Sequence, residues 1–536
     1  MKIRVYSRNV INHDYPEGLA NSIHMSLIED GMETNLNQNY GMIFVNGEIT
    51  PANTISPRGL INPSIFADGD KYVILADYVD ENKTNMAESM LYRVETKDFL
   101  SFDHIGLVEG DSLFEFENKA KESGQQTLSE TTGRFDMVEI PMALVKDIKD
   151  RWMPLEACRV SLTDMPKDGT ISDVKAIVEY TDGSTDIKAI DWDEKEGSDE
   201  ISGQIRMPEY KYPIMKGFAD PQIFIHKGIW YCLSTNDNND DVGLYLRSAN
   251  SPQDLFIEGR YKISVILDYN EEKDYIQTFW APEFHHIGDD DYILFALGGK
   301  KWAPQCHMMK LKKGEDPMDE ASWEEPVRVR NVDGEYLTTV GITLDMTHFE
   351  AKGQDYLVWS ERYNIGTSLD SGSMIYIATT DAQNPYQITS KPVLLTRPLL
   401  GWENVAGTIN NEGPYVLKHG GKIYIAYSGG SANDTTYAVG YMIADEEDDL
   451  LDLNSWIKQN TPALWAYSAE NIDGPGHNSF FEDEDGHTMI AYHGQLEIRC
   501  SAVHRVHFDK NDYPYLNMGN ERDLPLEMRK VTMKVK

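Results

Sequence analysis

One pattern recurs along this chain and limits what it can become. A polar residue stands at the mouth of a short apolar strand; a turn rich in Gly, Asp or Asn follows; then comes a second strand rich in aromatic residues. Gly217-Phe218-Ala219-Asp220-Pro221-Gln222-Ile223-Phe224-Ile225 leads into Trp230-Tyr231-Cys232-Leu233-Ser234. Trp280-Ala281-Pro282-Glu283-Phe284 precedes Tyr292-Ile293-Leu294-Phe295, and Leu344-Asp345-Met346-Thr347-His348-Phe349 precedes Tyr356-Leu357-Val358-Trp359. Asn411-Glu412-Gly413-Pro414-Tyr415 and Gly474-Pro475-Gly476-His477-Asn478-Ser479-Phe480 open two further units of the same kind. The spacing is roughly sixty residues or slightly more. Repeats of about 40–50 residues or longer, each with several short strands, predict a propeller of radially packed sheets. In such a fold the innermost strands begin around one axis, so Asp220, Glu283, Asp345, Glu412 and His477 are expected to converge there.

Local chemistry supports strand starts at these points. Pro221 has no N–H to give to a ladder and belongs at the first position of a strand. Upstream, Gly59-Leu60-Ile61-Asn62-Pro63-Ser64-Ile65-Phe66 repeats the Asp220 pattern with an amide in place of the acid, a blade-like unit without the carboxylate. Residues 109–155 are polar, with helix expected at 115–123 and 143–151. From Arg159 to Met207 the texture is that of a small β-module, with a hairpin turning at Thr181-Asp182-Gly183-Ser184. Asp-Gly is a strong hairpin signal, and the module resembles the small bacterial immunoglobulin-like domains, where a spacer role is the expectation. The chain therefore divides into an N-terminal blade-like β region with a polar connector (1–155), a small immunoglobulin-like module (156–212), the propeller (213–516) and a short C-terminal tail (517–536).

Charge and cysteine content narrow the function classes. With 88 acidic against 49 basic residues the net charge is −39. That field repels nucleic-acid phosphates and anionic lipid and suits a neutral substrate. No apolar run approaches the ~18 residues of a membrane span. The start Met1-Lys2-Ile3-Arg4-Val5 has no apolar stretch of signal-peptide length, so a cytoplasmic protein, or a secreted one whose signal was trimmed, is expected. Cys158, Cys232, Cys306 and Cys500 lie far apart with no C-x-x-C. They form neither a disulfide framework nor a zinc site. Oligomeric state is not legible.

Several acids at one axis can be a metal site, an acid/base pair or buried structural groups. Carboxylates that share a site push each other's pKa values apart, which is the requirement for one acid that donates and another that stays ionised. Phe218-Ala219-Asp220-Pro221, Trp280-Ala281-Pro282-Glu283, Asp345 before Phe349, and Asn411-Glu412-Gly413-Pro414-Tyr415, in this order and spacing, resemble the signature series of glycoside hydrolase family 43 across about 213–516. The resemblance implies a five-bladed β-propeller and an inverting glycosidase. Asp220 would be the general base, Glu412 the general acid, and Asp345 the acid that orients Glu412 and raises its pKa. Met346 departs from the proline usual after that third acid. His477 resembles the family's central histidine, which implies a contact, mainly through water, with an axial calcium or sodium; His493 is a second, poorer candidate. Trp280, Glu283, His348, Trp402 and Arg499 are the expected substrate contacts, and Trp280 and Trp402 would floor the pocket, since sugar rings pack on aromatic planes.

The implied activity is an exo-glycosidase on oligosaccharides or polysaccharide side chains, with α-L-arabinofuranosides favoured and β-xylosidase or galactosidase specificity open. Two other classes compete. A carbohydrate-binding propeller would use the same aromatics without turnover, but has no use for one ionised and one protonated acid. A protein scaffold would leave the axis unimportant.

Overall fold

The computed structural model describes residues 1–534 except 81–89, 109–125, 128–131, 194–199, 209, 303, 406–407, 467 and 470. The protein is nearly all-β, as expected. The helix expected at 143–151 is present as Met142–Trp152, while the one expected at 115–123 lies outside the described residues. Cys232, Cys306 and Cys500 are buried as free thiols and Cys158 is exposed.

Five strands start around a common centre: β1 (Phe218–His226), β2 (Gln277–Ile287), β3 (Gly341–Ala351), β4 (Asn411–His419) and β5 (Gly476–Glu482). Each touches the next, and β5 touches β1, so the cycle closes. Each strand leads an antiparallel meander that runs outward, such as β1 through Ile229–Asn236 and Leu244–Ala249 to Lys262–Leu267. Closure is sealed by a strand from before β1: Met215–Lys216 pairs with Ser501 and Cys500 at the end of the last meander. This arrangement is consistent with a propeller. Between the sheets, side chains pack in successive apolar clusters, such as Leu233, Leu246, Phe279, Ile293 and Phe295 between the first two.

The strand mouths share a β-bulge. The pairing register of β1 slips between Ala219 and Gln222, that of β2 between Trp280 and Glu283, and that of β3 between Leu344 and Thr347. β4 slips between Glu412 and Tyr415, and β5 between Gly476 and Ser479. One residue in each bulge has a left-handed backbone: Asp220 (φ 52°), Ala281 (46°), Asp345 (54°), Gly413 (57°) and His477 (49°). Gly, Asp, Asn and His tolerate that region far better than other residues, which accounts for the polar residue at most of these points. A bulge also re-aims a side chain away from the sheet. Asn62 adopts the same conformation (φ 51°), with the same register slip between Ile61 and Ser64.

Aligning the bulges corrects the expectation that the five polar residues are equivalent. Asp220, Asp345 and His477 share one position. Glu412 stands one residue earlier, level with Ala219, and Glu283 two residues later than Ala281, level with Gln222. Glu283 therefore belongs to a deeper layer of the axis.

The Asn62 unit does form a four-stranded meander (Arg58–Asp68, Lys71–Asp80, Met90–Thr96, Asp103–Leu107). It packs against a second sheet built on Lys2–Arg8, His24–Glu29 and Thr132–Glu139. Ile3, Val5, Met25, Leu27, Leu60, Ile65 and Ile74 share that core with Ile148 and Trp152 of the helix. Its bulge is thus reused in a two-layer sheet packing.

The small module comprises two three-stranded sheets, and the Asp182-Gly183 hairpin forms, with Gly183 at φ 91°. The third strand of its second sheet is Lys530–Lys534, paired with Glu200–Ile205. Met518, Leu524 and Val531 pack with Val178, Tyr180, Ile190 and Ile205. The segment expected as a short C-terminal tail thus contributes a strand and core side chains to this module. A buried cluster fixes it there: Asp523 accepts hydrogen bonds from Tyr180 and Lys188 and pairs with Arg505 of the last meander.

Candidate active site

Asp220 is buried among two histidines and an arginine. Its Oδ1 lies 3.0 Å from His493 Nδ1, 3.4 Å from His477 Nδ1 and 3.6 Å from an Arg499 nitrogen. Its Oδ2 accepts from Thr235 Oγ1 at 2.6 Å. Burial alone would raise its pKa, but His477, Arg499 and His493 together hold the carboxyl well below the usual range. Arg499 is in turn clamped by Asp237 through two bonds of 3.0 and 2.6 Å. Paired contacts of this kind fix a guanidinium in orientation as well as in place.

Glu412 sits in the opposite environment. It is 9% exposed. Burial, reinforced by the neighbouring Asp345 carboxylate, pushes its pKa up to about 7. Its Oε1 accepts from Tyr437 Oη at 2.9 Å. Tyr437 stacks on His493, and Gly476 is required beside it, since a Cβ there would fall 2.1 Å from the ring. Asp345 accepts from the Gly413 N–H at 3.0 Å, which ties the third acid to the residue after Glu412. Its pKa is raised by burial, against the pull of His477. Two neighbouring carboxyls thus have pKa values forced apart, one by His477, Arg499 and His493 and one by burial and a like charge.

His477 donates its backbone N–H to Ser428 Oγ at 2.7 Å. Burial works to lower its pKa, but Asp220, Asp345, Glu412 and Glu283 outweigh that and raise it. Calcium takes six to eight oxygen ligands. Among the described residues no three His, Cys, Asp or Glu side chains are grouped to hold a metal.

The other expected contacts separate. Trp280 is half-buried, with its Nε1–H donated to Asp241 Oδ2 at 2.9 Å. Glu283 lies in the deeper layer, where His285 Nε2 is 2.7 Å from its Oε2; burial pushes its pKa well up. His348 is committed to Asp355 at 2.8 Å and stands edge-on to His285. Trp402 has no exposed surface: it packs against Tyr427 and fits over Gly429 and Gly440, where a Cβ would fall 2.6 Å from its ring. The expectation that it floors the pocket is overturned, because a ring with no accessible face cannot stack on a sugar. Thr235, Asp237, Asp241 and Tyr437 were not singled out in the sequence. They lie on second and third strands or on loops, where no repeated motif marks them.

Residues 210–508 match the sequence profile of the glycosyl hydrolases family 43. The chain belongs to that family. It is 33% identical over 284 residues to the extracellular exo-alpha-(1->5)-L-arabinofuranosidase of Streptomyces avermitilis, covering 52% of this chain and 55% of that one. It is 30% identical over 292 residues to the same-named enzyme of Streptomyces chartreusis, covering 54% and 84%. It also resembles the crystal structure of an alpha-L-arabinofuranosidase from Lactobacillus brevis, at a TM-score of 0.51 and 28% identity over 59% of this chain and 98% of that one. The chain spans about half the length of the first of these curated relatives. The family 43 match contains every catalytic candidate, and residues 1–209 lie outside it. No helix among the described residues is long and apolar enough to cross a membrane. Both Streptomyces relatives are named extracellular, so they lend no support to a cytoplasmic location.

Proposed function

We propose that the protein is an inverting exo-glycosidase that releases terminal α-L-arabinofuranosyl residues from oligosaccharides or polysaccharide side chains. The observation that carries the reading is the opposed tuning of Asp220 and Glu412 within one cavity. Asp220 stays ionised and takes a proton from the attacking water. Glu412, protonated up to about pH 7, gives its proton to the leaving oxygen. Asp345 holds the Gly413 N–H beside Glu412 and opposes its ionisation. Inversion requires this division of labour, with the two carboxyls on opposite sides of the bond and a water between the base and the sugar. The fold reading that goes with it is a five-bladed propeller on β1–β5, with residues 1–155 and an immunoglobulin-like module completed by the C-terminal strand set beside it. Arabinose as the glycone rests on the named activity of the relatives; β-xylosidase and galactosidase remain the competing specificities, since one fold hosts many sugars.

The test is a panel of p-nitrophenyl glycosides (α-L-arabinofuranoside, β-D-xyloside, α- and β-D-galactoside), with the first-formed anomer read by NMR. Release of arabinose in the inverted configuration, lost in Asp220→Asn with the fold intact, is expected. Turnover surviving in Asp220→Asn at near wild-type rate would refute the role given to that residue, and release of another sugar would refute the glycone.

A further inference from the structure

The loop Asn236-Asp237-Asn238-Asn239-Asp240-Asp241 bridges the mouths of β1 and β2, and it is pinned at three points. Asn238 donates from Nδ2 to the carbonyls of Lys216 and Gly217 at 3.0 and 2.8 Å. Gly217 (φ 73°) has room for no side chain, because a Cβ would fall 2.2 Å from Asn238. Asp237 clamps Arg499, the cation beside Asp220. Asp241 reaches the other way: its carbonyl accepts the Phe279 N–H at 3.0 Å, and its Oδ2 accepts the Trp280 indole N–H at 2.9 Å. Asp237 and Asp241 thus stand on one short loop, the first holding the arginine beside Asp220 and the second holding the Trp280 indole.

We propose that Asp241 is a positioning residue for substrate binding: it fixes the plane of the Trp280 indole at the mouth of β2, on the same loop whose Asp237 clamps the arginine beside the base. The proposal rests on the glycosidase reading above. Trp280 is half-buried, so its ring is neither free in solvent nor locked by packing all round. Its single polar atom is the one handle that can select a rotamer, and Asp241 is the acceptor that handle uses. A sugar that stacks on an indole needs its plane already set; a ring free to turn loses affinity while the reacting carboxyls stay in place. Asp241 forms hydrogen bonds with Phe279 and Trp280 and not with Asp220 or Glu412, so its effect should appear in KM and not in kcat.

The experiment compares steady-state kinetics of the full chain with an arabino-oligosaccharide for wild type, Asp241→Ala and Asp241→Asn. In Asp241→Ala, KM is expected to rise at least about fivefold with kcat within about twofold. Asp241→Asn should restore most of the affinity, because the amide oxygen still accepts from Trp280. An unchanged KM in the alanine variant, a fall in kcat without a rise in KM, or an asparagine variant as weak as alanine would each overturn the proposal. If Asp241→Ala does not fold, Trp280→Phe carries the test: it keeps a ring but removes the donated N–H. KM must rise there too, and adding Asp241→Asn to it must cost nothing further; an unchanged KM or an additive loss overturns the assignment. Asp220→Asn runs in parallel. Absence of any turnover in the wild type refutes the glycosidase reading, activity surviving in Asp220→Asn refutes the role of that base, and an inactive Asp220→Asn beside an unaffected Asp241→Ala refutes only the role of Asp241.

Discussion

Replacing Asp345 by Asn should move the alkaline limb of the pH–rate profile downward. Raising the Glu412 pKa from 4.5 to about 7 corresponds to about 3 kcal/mol in favour of the protonated acid. Burial is the larger cause and the Asp345 charge the second. Asn keeps an acceptor for the Gly413 N–H and occupies the same volume, so it removes the charge and little else. If the charge supplies somewhat under half of the effect, the Glu412 pKa falls by about one unit, worth about 1.4 kcal/mol. The sign follows from the role: the acid must be protonated to donate, so activity is present below its pKa and lost as pH rises through it. The wild-type limb is expected near pH 7 and the variant limb near pH 6. The assay is kcat/KM against pH, which reports the free enzyme. It should use an arabino-oligosaccharide, because p-nitrophenol leaves without full protonation and would mask the limb. Little acid limb is expected at moderately low pH, since Asp220 stays ionised there. A limb that stays in place or moves upward in Asp345→Asn would refute the claim that Asp345 tunes Glu412 by charge.

Two further outcomes follow from the same contacts. Tyr437→Phe removes the hydrogen bond that favours ionised Glu412, so its alkaline limb should move up by roughly half a unit, opposite to Asp345→Asn; the same profile checks it, and a downward shift would refute the assignment. Asp523→Ala takes from the buried Lys188 and Arg505 one of the two carboxylates they share, Asp186 being the other, and should cost up to about 3–5 kcal/mol in denaturant unfolding at neutral pH. The Asp523 pKa is depressed, so the wild-type advantage is present above the unfolded value near 4 and fades as pH falls through the folded one. A loss that does not shrink in acid would refute the electrostatic account.

The repeated strand mouths told most of the central fold, because a bulge that needs a left-handed residue writes itself locally as Asp-Pro, Gly-Pro or a lone His before an apolar run. Those same positions named Asp220, Asp345 and His477, and Glu412 one residue away. Identity along the chain therefore determined which carboxyls stand at the mouths of these strands. Tertiary structure alone decided how they differ. Asp220 is held ionised by Arg499 and His493, which come from the far end of the chain; Glu412 is kept protonated by burial and by an acid on another strand. Glu283 carries the same motif yet falls a layer deeper, because register is a property of pairing and not of spacing. Trp402 looked like a platform until packing covered both of its faces. The last strand, Lys530–Lys534, joins a sheet more than three hundred residues upstream, a pairing no local pattern could announce. A sequence records what each residue can do; which charges, faces and partners it meets is set only when distant segments fold against it, and those contacts fix the protonation of the acids.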